Sequence, residues 1–204
     1  MNTMDKDYLT GLYTRQALYV LYQGMEKGSF FDFMFLDLDN FKNVNDVYGH
    51  NTGDLVLKTI AKILTENAPD AYAIRLGGDE FVLLFKGIHS KESLCSIAQN
   101  IIDNISNKSY FLDINVYLSA SIGLLYHETV TESLDSILEK RDMAMYYAKT
   151  HGKSQFIVFN DIAQSVFSEI EMEKSQQSSF DHNEFEIRYL PVISAQTSQL
   201  SLSQ

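Results

Sequence analysis

Apolar residues recur along this chain with two different periods, and the changes of period mark the predicted elements. A spacing of three and four residues predicts amphipathic helices. These helical stretches are Thr14–Gly28, Asp54–Ala68, the run that follows Ser90, and Thr131–Gly152. Asp54, Ser90 and Thr131 precede apolar runs and are predicted helix caps, while glycine is a typical helix stop.

Five other stretches predict β-strands. The stretch "FFDFMFLDLD" (Phe30–Asp39) is apolar almost throughout, which is typical of a strand buried on both faces. The shorter runs are "AYAIRL", "EFVLLFKG" and "SQFIVFN", and the alternating "SYFLDINVYLSASIGLLYH" predicts one or two strands. The polar, glycine-broken stretch "NFKNVNDVYGHNTGD" predicts a loop with at most a short helix. This order predicts an α+β fold with one central, mostly antiparallel sheet flanked by helices.

The composition changes after Asn160, and we therefore predict three segments. Residues 1–159 form the main domain. Residues 160–183 begin as an exposed helix and continue as a linker rich in serine and glutamine. Residues 184–204 begin a further strand whose apolar side chains have no obvious packing partner in the rest of the chain.

The composition limits which binding partners and which cellular compartment we expect for this chain. The chain has 204 residues, 45% hydrophobic, and its net charge of -11 argues against nucleic acid but not against a small phosphorylated ligand. Its one cysteine excludes an intrachain disulfide and fits a reducing compartment. The apolar runs are too short to span a bilayer, and the N-terminus lacks the apolar core of a signal peptide. We expect a cytoplasmic chain without direct membrane contact, although its parent protein could be membrane-anchored.

Two pairs of acidic residues stand at the ends of predicted strands. Asp37 and Asp39 end the first strand, and Asp79 and Glu80 follow the double glycine of "IRLGGDEFVLLF". If the strands are neighbours, Asp37 and Asp79 can converge on one Mg²⁺ ion, which prefers carboxylate and phosphate oxygens. The glycines would then leave space for a ligand beside the metal. A plain hairpin with exposed acids is the alternative.

The polar stretch after the first strand supplies further candidate ligands. Backbone amides from Asn40 to Lys42 could cradle phosphate oxygens, with Lys42 adding a point charge. Asn45 and Asp54 offer an amide and a carboxylate suited to a guanine edge, and the alternative role of Asp54 is a helix cap. Lys149 and Lys153 could face phosphates together, or could simply be solvated.

Four motifs in order carry a resemblance to a known family. They are "DKDYLTGLYTR", "FLDLDNFKNVNDVYGHNTGD", "RLGGDEF" and "RDMAMYYAKTHGKS". Together they resemble the GGDEF family, the diguanylate cyclases, over about Asp5 to Asn160. The resemblance implies a fold similar to the palm of nucleotide cyclases and polymerases, with a ferredoxin-like core.

The resemblance also implies an activity: two GTP molecules, held by two facing copies of the domain, are joined into cyclic di-GMP with release of pyrophosphate. By matching motifs, Asp37, Asp79 and the Leu38 carbonyl would bind Mg²⁺ or Mn²⁺. Glu80 would be a base or a second metal ligand, and Arg75 a structural partner of the acids. The expected GTP contacts are Phe41, Lys42, Asn45, Asp54, Gly77, Gly78, Lys149 and Lys153.

Three departures from the family pattern change what we expect. Many relatives carry an Arg-x-x-Asp pair that binds product and inhibits the enzyme, whereas this chain has "APDA" (Ala68–Ala71), so we expect no inhibition there. The first motif starts by Asp7 without a preceding module, so we expect a transient homodimer and slow turnover. The tail "NEFEIRYLPVISAQTSQL" resembles the start of the EAL phosphodiesterase family without its metal-binding residues, as in a truncated GGDEF–EAL protein.

Three functions are therefore compared. The leading hypothesis is an active diguanylate cyclase. The alternative is a catalytically silent domain that binds GTP and regulates an attached EAL domain. The third is an inert fragment that serves only as a dimerisation or docking surface and binds no GTP.

Overall fold

The computed structural model describes residues 4–108, 118–130, 133–163, 191–193 and 200–202. The chain divides into two compact units, Met1–Ala163 and Gln164–Gln204. The elements of the first unit are β1 (Tyr13–Thr14), α1 (Arg15–Gln23), β2 (Phe30–Asp39), α2 (Phe41–Tyr48), α3 (His50–Asn67), β3 (Tyr72–Gly77), β4 (Glu80–Lys86), α4 (Lys91–Lys108), β5 (Ser119–Thr129), α5 (Leu134–Thr150) and β6 (Phe156–Val158).

A six-stranded sheet in the order β1-β3-β4-β2-β5-β6 organises the first unit. The pairs β3–β4, β4–β2 and β2–β5 are antiparallel, while the short edge strands β1 and β6 pair in parallel with β3 and β5. The predicted α+β fold with a mostly antiparallel sheet is confirmed. The central position of β2 explains why its sequence is apolar almost throughout.

Helices cover both faces of the sheet and give it two cores. Met34, Leu36 and Leu38 of β2 pack in one apolar cluster with residues of α3 and α4. Phe31, Phe33 and Phe35 pack in the other with residues of α1 and α5. Successive side chains of a strand point to opposite faces, so β2 contributes side chains to both cores. Its odd-numbered residues lie on the face that α5 covers.

Serine and threonine hydroxyls begin three of the helices. Thr14 Oγ1 accepts a hydrogen bond from Ala17 N at the start of α1, and Ser90 Oγ accepts one from Ser93 N before α4. At α5 the cap is Ser133, whose Oγ accepts from Ser136 N. The predicted cap Thr131 was therefore two residues too early, and it lies outside the described residues.

The stretch after β2 contains the short helix that the sequence prediction allowed, but α3 begins earlier than the predicted start at Asp54. Residues 41–48 form α2, with Phe41 and Val44 buried one turn apart, and α3 begins at His50. Left-handed backbone at Asn40 and a positive φ of 81° at Gly49 separate α2 from its neighbours. Asp54 lies within α3 and is exposed, so it is not the helix cap that we predicted. The burial of these two side chains stabilises a helix that is otherwise polar. The polar composition of the stretch gave no sign of this burial.

The last residues of the first unit belong to its core. Phe159 is buried, and Ala163 packs against the same core cluster. The second unit shows β7 (Pro191–Ile193) paired antiparallel with β8 (Leu200–Leu202). Most of the predicted linker, the predicted strand in "NEFEIRYL" and residues 109–117 lie outside the described residues, so the assignment of an EAL segment stays a prediction. Among the described helices, none is long and apolar enough to cross a membrane.

Candidate active site

Three acidic residues lie near one another where β2 ends. Asp37 pairs in register with Glu80 of β4 on one side and with Ser121 of β5 on the other. Asp79 stands in the turn before Glu80, and its carbonyl accepts a hydrogen bond from Leu38 N at 3.3 Å. Strand pairing therefore brings Asp37, Asp79 and Glu80 together, as expected if the two strands are neighbours.

The double glycine makes a turn that is open on its outer side. Gly77 and Gly78 have φ values of 147° and 53°, and an added Cβ at either would meet no atom within 4 Å. Arg75 holds the turn from below, since its Nε and Nη2 donate to the Gly78 carbonyl at 3.1 and 2.8 Å. Arg75 Nη1 also donates to Asp7 Oδ1 at 3.1 Å, so the acid that pairs with Arg75 is Asp7.

Basic side chains balance the acids of the cluster. Lys149 Nζ lies 2.9 Å from Asp37 Oδ1. Glu80 Oε2 lies 3.8 Å from Arg15 Nη2 and 3.9 Å from Arg141 Nη1. The sequence analysis missed Arg15 and Arg141. Both lie within family motifs, but their approach to Glu80 depends on how α1 and α5 pack on the sheet.

Asp79 has the electrostatic surroundings of a metal ligand. Burial and the negative charge of Asp37 raise the pKa of Asp79, against the effects of its own backbone hydrogen bond and of Lys149. A divalent cation between Asp37 and Asp79 would relieve this repulsion, so the residues fit such an ion. Among the described residues, however, no group of three or more acidic, histidine or cysteine side chains could hold a metal. The carboxylates are a partial set that phosphate oxygens would complete.

Asp39, two residues beyond Asp37 on the same face, has a structural role. Its side chain is buried and accepts hydrogen bonds from Ser119 Oγ at 2.7 Å, Ser121 Oγ at 2.9 Å and Ser154 N at 3.1 Å. These bonds tie β2 to β5 and to the segment after α5. Asp37 is left as the carboxylate of this strand that faces the cluster.

A cavity of about 230 Å³ opens beside the acids, between the sheet and α5. Its lining includes Phe35, Asp37, Glu80, Arg141, Tyr146 and Lys149. The cavity joins an aromatic surface to charged groups of both signs. This arrangement suits a polar ligand that carries phosphates.

Gly53 makes room for the side chain of Asn45, one of the two candidate guanine contacts. Asn45 of α2 is half-buried, and its Oδ1 would lie only 2.0 Å from a Cβ added at Gly53. Asp54, the next residue, is exposed. Helix packing therefore puts the predicted amide of Asn45 against Gly53, the residue before the predicted carboxylate of Asp54.

The remaining predicted contacts surround this region less tightly. Phe41 is buried, and Lys42 beside it is exposed at the start of α2. Lys153 is exposed after the end of α5, with a φ of 60° and its N–H donating to the Ala148 carbonyl. Lys149 pairs with Asp37, whereas neither Lys42 nor Lys153 forms an ion pair with Asp37, Asp79 or Glu80.

Comparison with known proteins identifies the family of the chain. The family described as "Diguanylate cyclase, GGDEF domain" matches residues 4–155. Diguanylate cyclase A of Treponema denticola is 35% identical over 146 residues, which are 69% of this chain and 38% of that protein. The cyclic di-GMP phosphodiesterase PdeR of Escherichia coli is 32% identical over 194 residues, 93% of this chain and 29% of that protein. The chain thus spans well under half the length of these relatives.

Solved structures show the same fold. The GGDEF domain of DgcB from Caulobacter crescentus, crystallised in complex with c-di-GMP, superposes with a TM-score of 0.68 at 26% identity. The match covers 78% of this chain and 98% of that one. With the family match over most of its length, the chain belongs to the GGDEF family of diguanylate cyclase domains.

Proposed function

We propose that this chain is a diguanylate cyclase that condenses two GTP molecules into cyclic di-GMP between two facing copies. The observation that carries the proposal is the acid cluster at the end of β2, where Asp37 lies opposite Glu80 and in contact with Lys149. Phosphoryl transfer needs positioning and charge neutralisation more than covalent help from the protein. A cluster of acids and cations beside a cavity supplies both, and a cytoplasmic GTP pool would supply the substrate.

Each condensation forms a bond from a 3′-oxygen to an α-phosphorus and breaks the bond from that phosphorus to the pyrophosphate oxygen. The proton of the 3′-hydroxyl must leave, and Glu80 is the carboxylate that we assign to accept it. Arg15 and Arg141 on either side would restrain the direction of that carboxylate. The alternative role for Glu80 is that of a second metal ligand.

Asp37, Asp79 and the carbonyl of Leu38 would hold Mg²⁺ or Mn²⁺. Bound there, the ion would neutralise charge on the phosphates and polarise the α-phosphate. The open turn at Gly77 and Gly78 would let the nucleotide approach the backbone above these ligands.

The rest of the nucleotide would bind along α2 and the end of α5. Asn45 and Asp54 would hydrogen-bond the guanine edge, and the amide of Phe41 would face a phosphate. Lys42, Lys149 and Lys153 would neutralise the terminal phosphates. This division separates recognition of the base from the chemistry at the acids.

A silent GTP-binding domain of a GGDEF–EAL phosphodiesterase is the second candidate. The alignment with the phosphodiesterase PdeR covers 93% of this chain and therefore runs past residue 155, where the family match ends. On this reading the chain binds GTP without joining two molecules. Its function would then be to regulate the EAL domain of a longer parent protein.

The first experiment incubates the purified chain at high concentration with GTP and Mg²⁺ and analyses the nucleotides by mass spectrometry. We expect cyclic di-GMP from the parent chain. Glu80→Ala and Asp79→Ala should lower turnover by at least about 100-fold, because each removes a group that acts at the reacting atoms. The exposed Glu92→Ala on α4 is the matched control.

Each outcome separates the candidates. Unchanged GTP with saturable binding would support the regulatory domain, and no binding would leave the inert surface. If Glu80→Ala and Asp79→Ala cyclised GTP as fast as the parent chain, the site assignment would be wrong.

A further inference from the structure

Lys149 contacts the same carboxylate that we assign to the metal. Its Nζ lies 2.9 Å from Asp37 Oδ1, the separation of a charge-assisted hydrogen bond. A divalent cation on Asp37 would lie within a few ångströms of this ammonium group, and the two like charges would repel each other. The ammonium group and the metal would therefore compete for Asp37.

Among the acids of the cluster, Asp37 is the one that Lys149 pairs with. Glu80, in contrast, is matched by Arg15 and Arg141. Lys149 is thus the cation whose removal would leave the Asp37–Asp79 pair without its balancing charge.

Lys149 is also the partner that is able to move. Its side chain is 43% exposed and lies in the last turn of α5, while the Asp37 side chain is 17% exposed and belongs to the central strand. A lysine has four rotatable bonds along its stem and readily exchanges one anion for another. Asp37 can keep its position while the ammonium group leaves.

We propose that Lys149 is an exchangeable counter-ion, which neutralises Asp37 in the free protein and moves to the triphosphate when a divalent cation takes its place. The proposal rests on the metal site of the proposed function and adds to it a coupling between metal and nucleotide. The metal alone binds weakly because it must displace Lys149. The triphosphate favours metal binding because it accepts the displaced charge, and by linkage the metal favours the triphosphate equally.

The test is a Mn²⁺ titration of the nucleotide-free protein, with free Mn²⁺ followed by electron paramagnetic resonance. Lys149→Met should bind Mn²⁺ about fivefold more tightly than the parent chain, since a partly exposed ion pair no longer competes. Lys149→Arg keeps a charge able to pair with Asp37 and should restore an affinity close to that of the parent. Lys62→Met is the control, because it makes the same change of net charge at a side chain that is 70% exposed on α3.

The outcomes distinguish this proposal from the metal site itself. If Asp37→Asn does not weaken Mn²⁺ binding, the assigned metal site is wrong. If Asp37→Asn weakens binding but Lys149→Met does not tighten it, the metal site stands and the counter-ion proposal is overturned. If Lys149→Met and Lys62→Met increased the Mn²⁺ affinity equally, the change in net charge would explain the effect. That result would also overturn the proposal.

Discussion

Gly53, in the first turn of α3, is an unfavourable residue for a helix, since glycine costs about 1 kcal/mol inside a helix relative to alanine. Its place in α3 is explained by its neighbour. A Cβ at Gly53 would lie 2.0 Å from Asn45 Oδ1 and 3.3 Å from Phe41 Cζ. The missing side chain makes room for Asn45 beside Asp54, so the position favours the proposed guanine site over helix stability.

Gly53→Ala should therefore separate folding from nucleotide binding. We expect the melting temperature to fall only slightly, because the helical preference of alanine offsets part of the cost of displacing Asn45 and crowding Phe41. GTP should bind about tenfold more weakly, because Asn45 is displaced and a hydrogen bond to the base is lost. Calorimetric melting and a GTP titration measure the two effects, with Lys58→Ala on the same helix as control. Unchanged GTP affinity would contradict the assignment of Asn45.

At the scale of elements, a hydrogen-bonded pair connects the N-terminal segment to the turn that carries the acids. Asp7 Oδ1 accepts from Thr10 N at 2.9 Å, Thr10 Oγ1 at 2.6 Å and Arg75 Nη1 at 3.1 Å. Burial raises the pKa of Asp7, but the hydrogen bonds from Thr10 and Arg75 outweigh it and hold the pKa below its usual value. The charged form is thus favoured by folding.

This lowered pKa gives stability with a defined dependence on pH. The contribution is fully present above the pKa of an unfolded aspartate, about 4, and is lost as pH falls through the lower pKa of the folded protein. We expect Asp7→Asn to reduce the free energy of unfolding at pH 7 by about 1–3 kcal/mol. Urea unfolding from pH 7 to pH 3 should show the difference from the parent chain shrinking, with the exposed Asp5→Asn as control. A difference that stays constant over this range would contradict the role of the Asp7 charge.

The residues at the end of α3 occupy the position where many relatives carry the Arg-x-x-Asp pair that mediates product inhibition. Ala68 is the C-terminal cap of α3 and is buried, and Ala71 N donates to the Ala68 carbonyl. Neither side chain offers the charge or the hydrogen-bond donors that the Arg-x-x-Asp pair of many relatives supplies.

We therefore expect added cyclic di-GMP not to inhibit through this surface. Pyrophosphate release should keep its rate as product is titrated in at saturating GTP, which suppresses competition at the active site. A strong fall in rate, with product bound at Ala68–Ala71, would show the expectation to be wrong. Substitution of the buried Ala68 by arginine is not a useful converse test, because its volume would disrupt the packing there.

At the scale of the whole molecule, each copy carries one acid cluster and, in the proposed reaction, one nucleotide. Two copies must meet for the condensation, and each has a net charge of -11. Like-charged copies repel one another, which disfavours their association.

Turnover per chain should consequently rise with protein concentration, in near proportion where the dimer is a minor species. Initial rates measured over a hundredfold range of concentration at constant GTP check this, with size-exclusion chromatography reporting association. A rate per chain that is independent of concentration while the protein stays monomeric would contradict a reaction between two copies.

The pattern of residues along the chain was enough to predict most of the strands and helices and the family. The apolar run of β2 matches the observed strand at both ends, and the alternation and helical spacing that predicted the other elements depend only on local burial. The four motifs indicated the family, which the family match confirms, and the acids that we propose as site residues, because a ligand site needs particular side chains at particular places in the chain.

The tertiary structure decided which side chains contact one another. Asp37 and Asp39 share one strand and one face, yet packing left one beside Lys149 and enclosed the other among Ser119, Ser121 and the Ser154 amide. The polar α2 became a helix because two of its side chains are buried by distant elements. Arg15 and Arg141 reach Glu80 only because α1 and α5 pack on the same face of the sheet. Such contacts join residues far apart in the chain, so they depend on packing that no local pattern encodes.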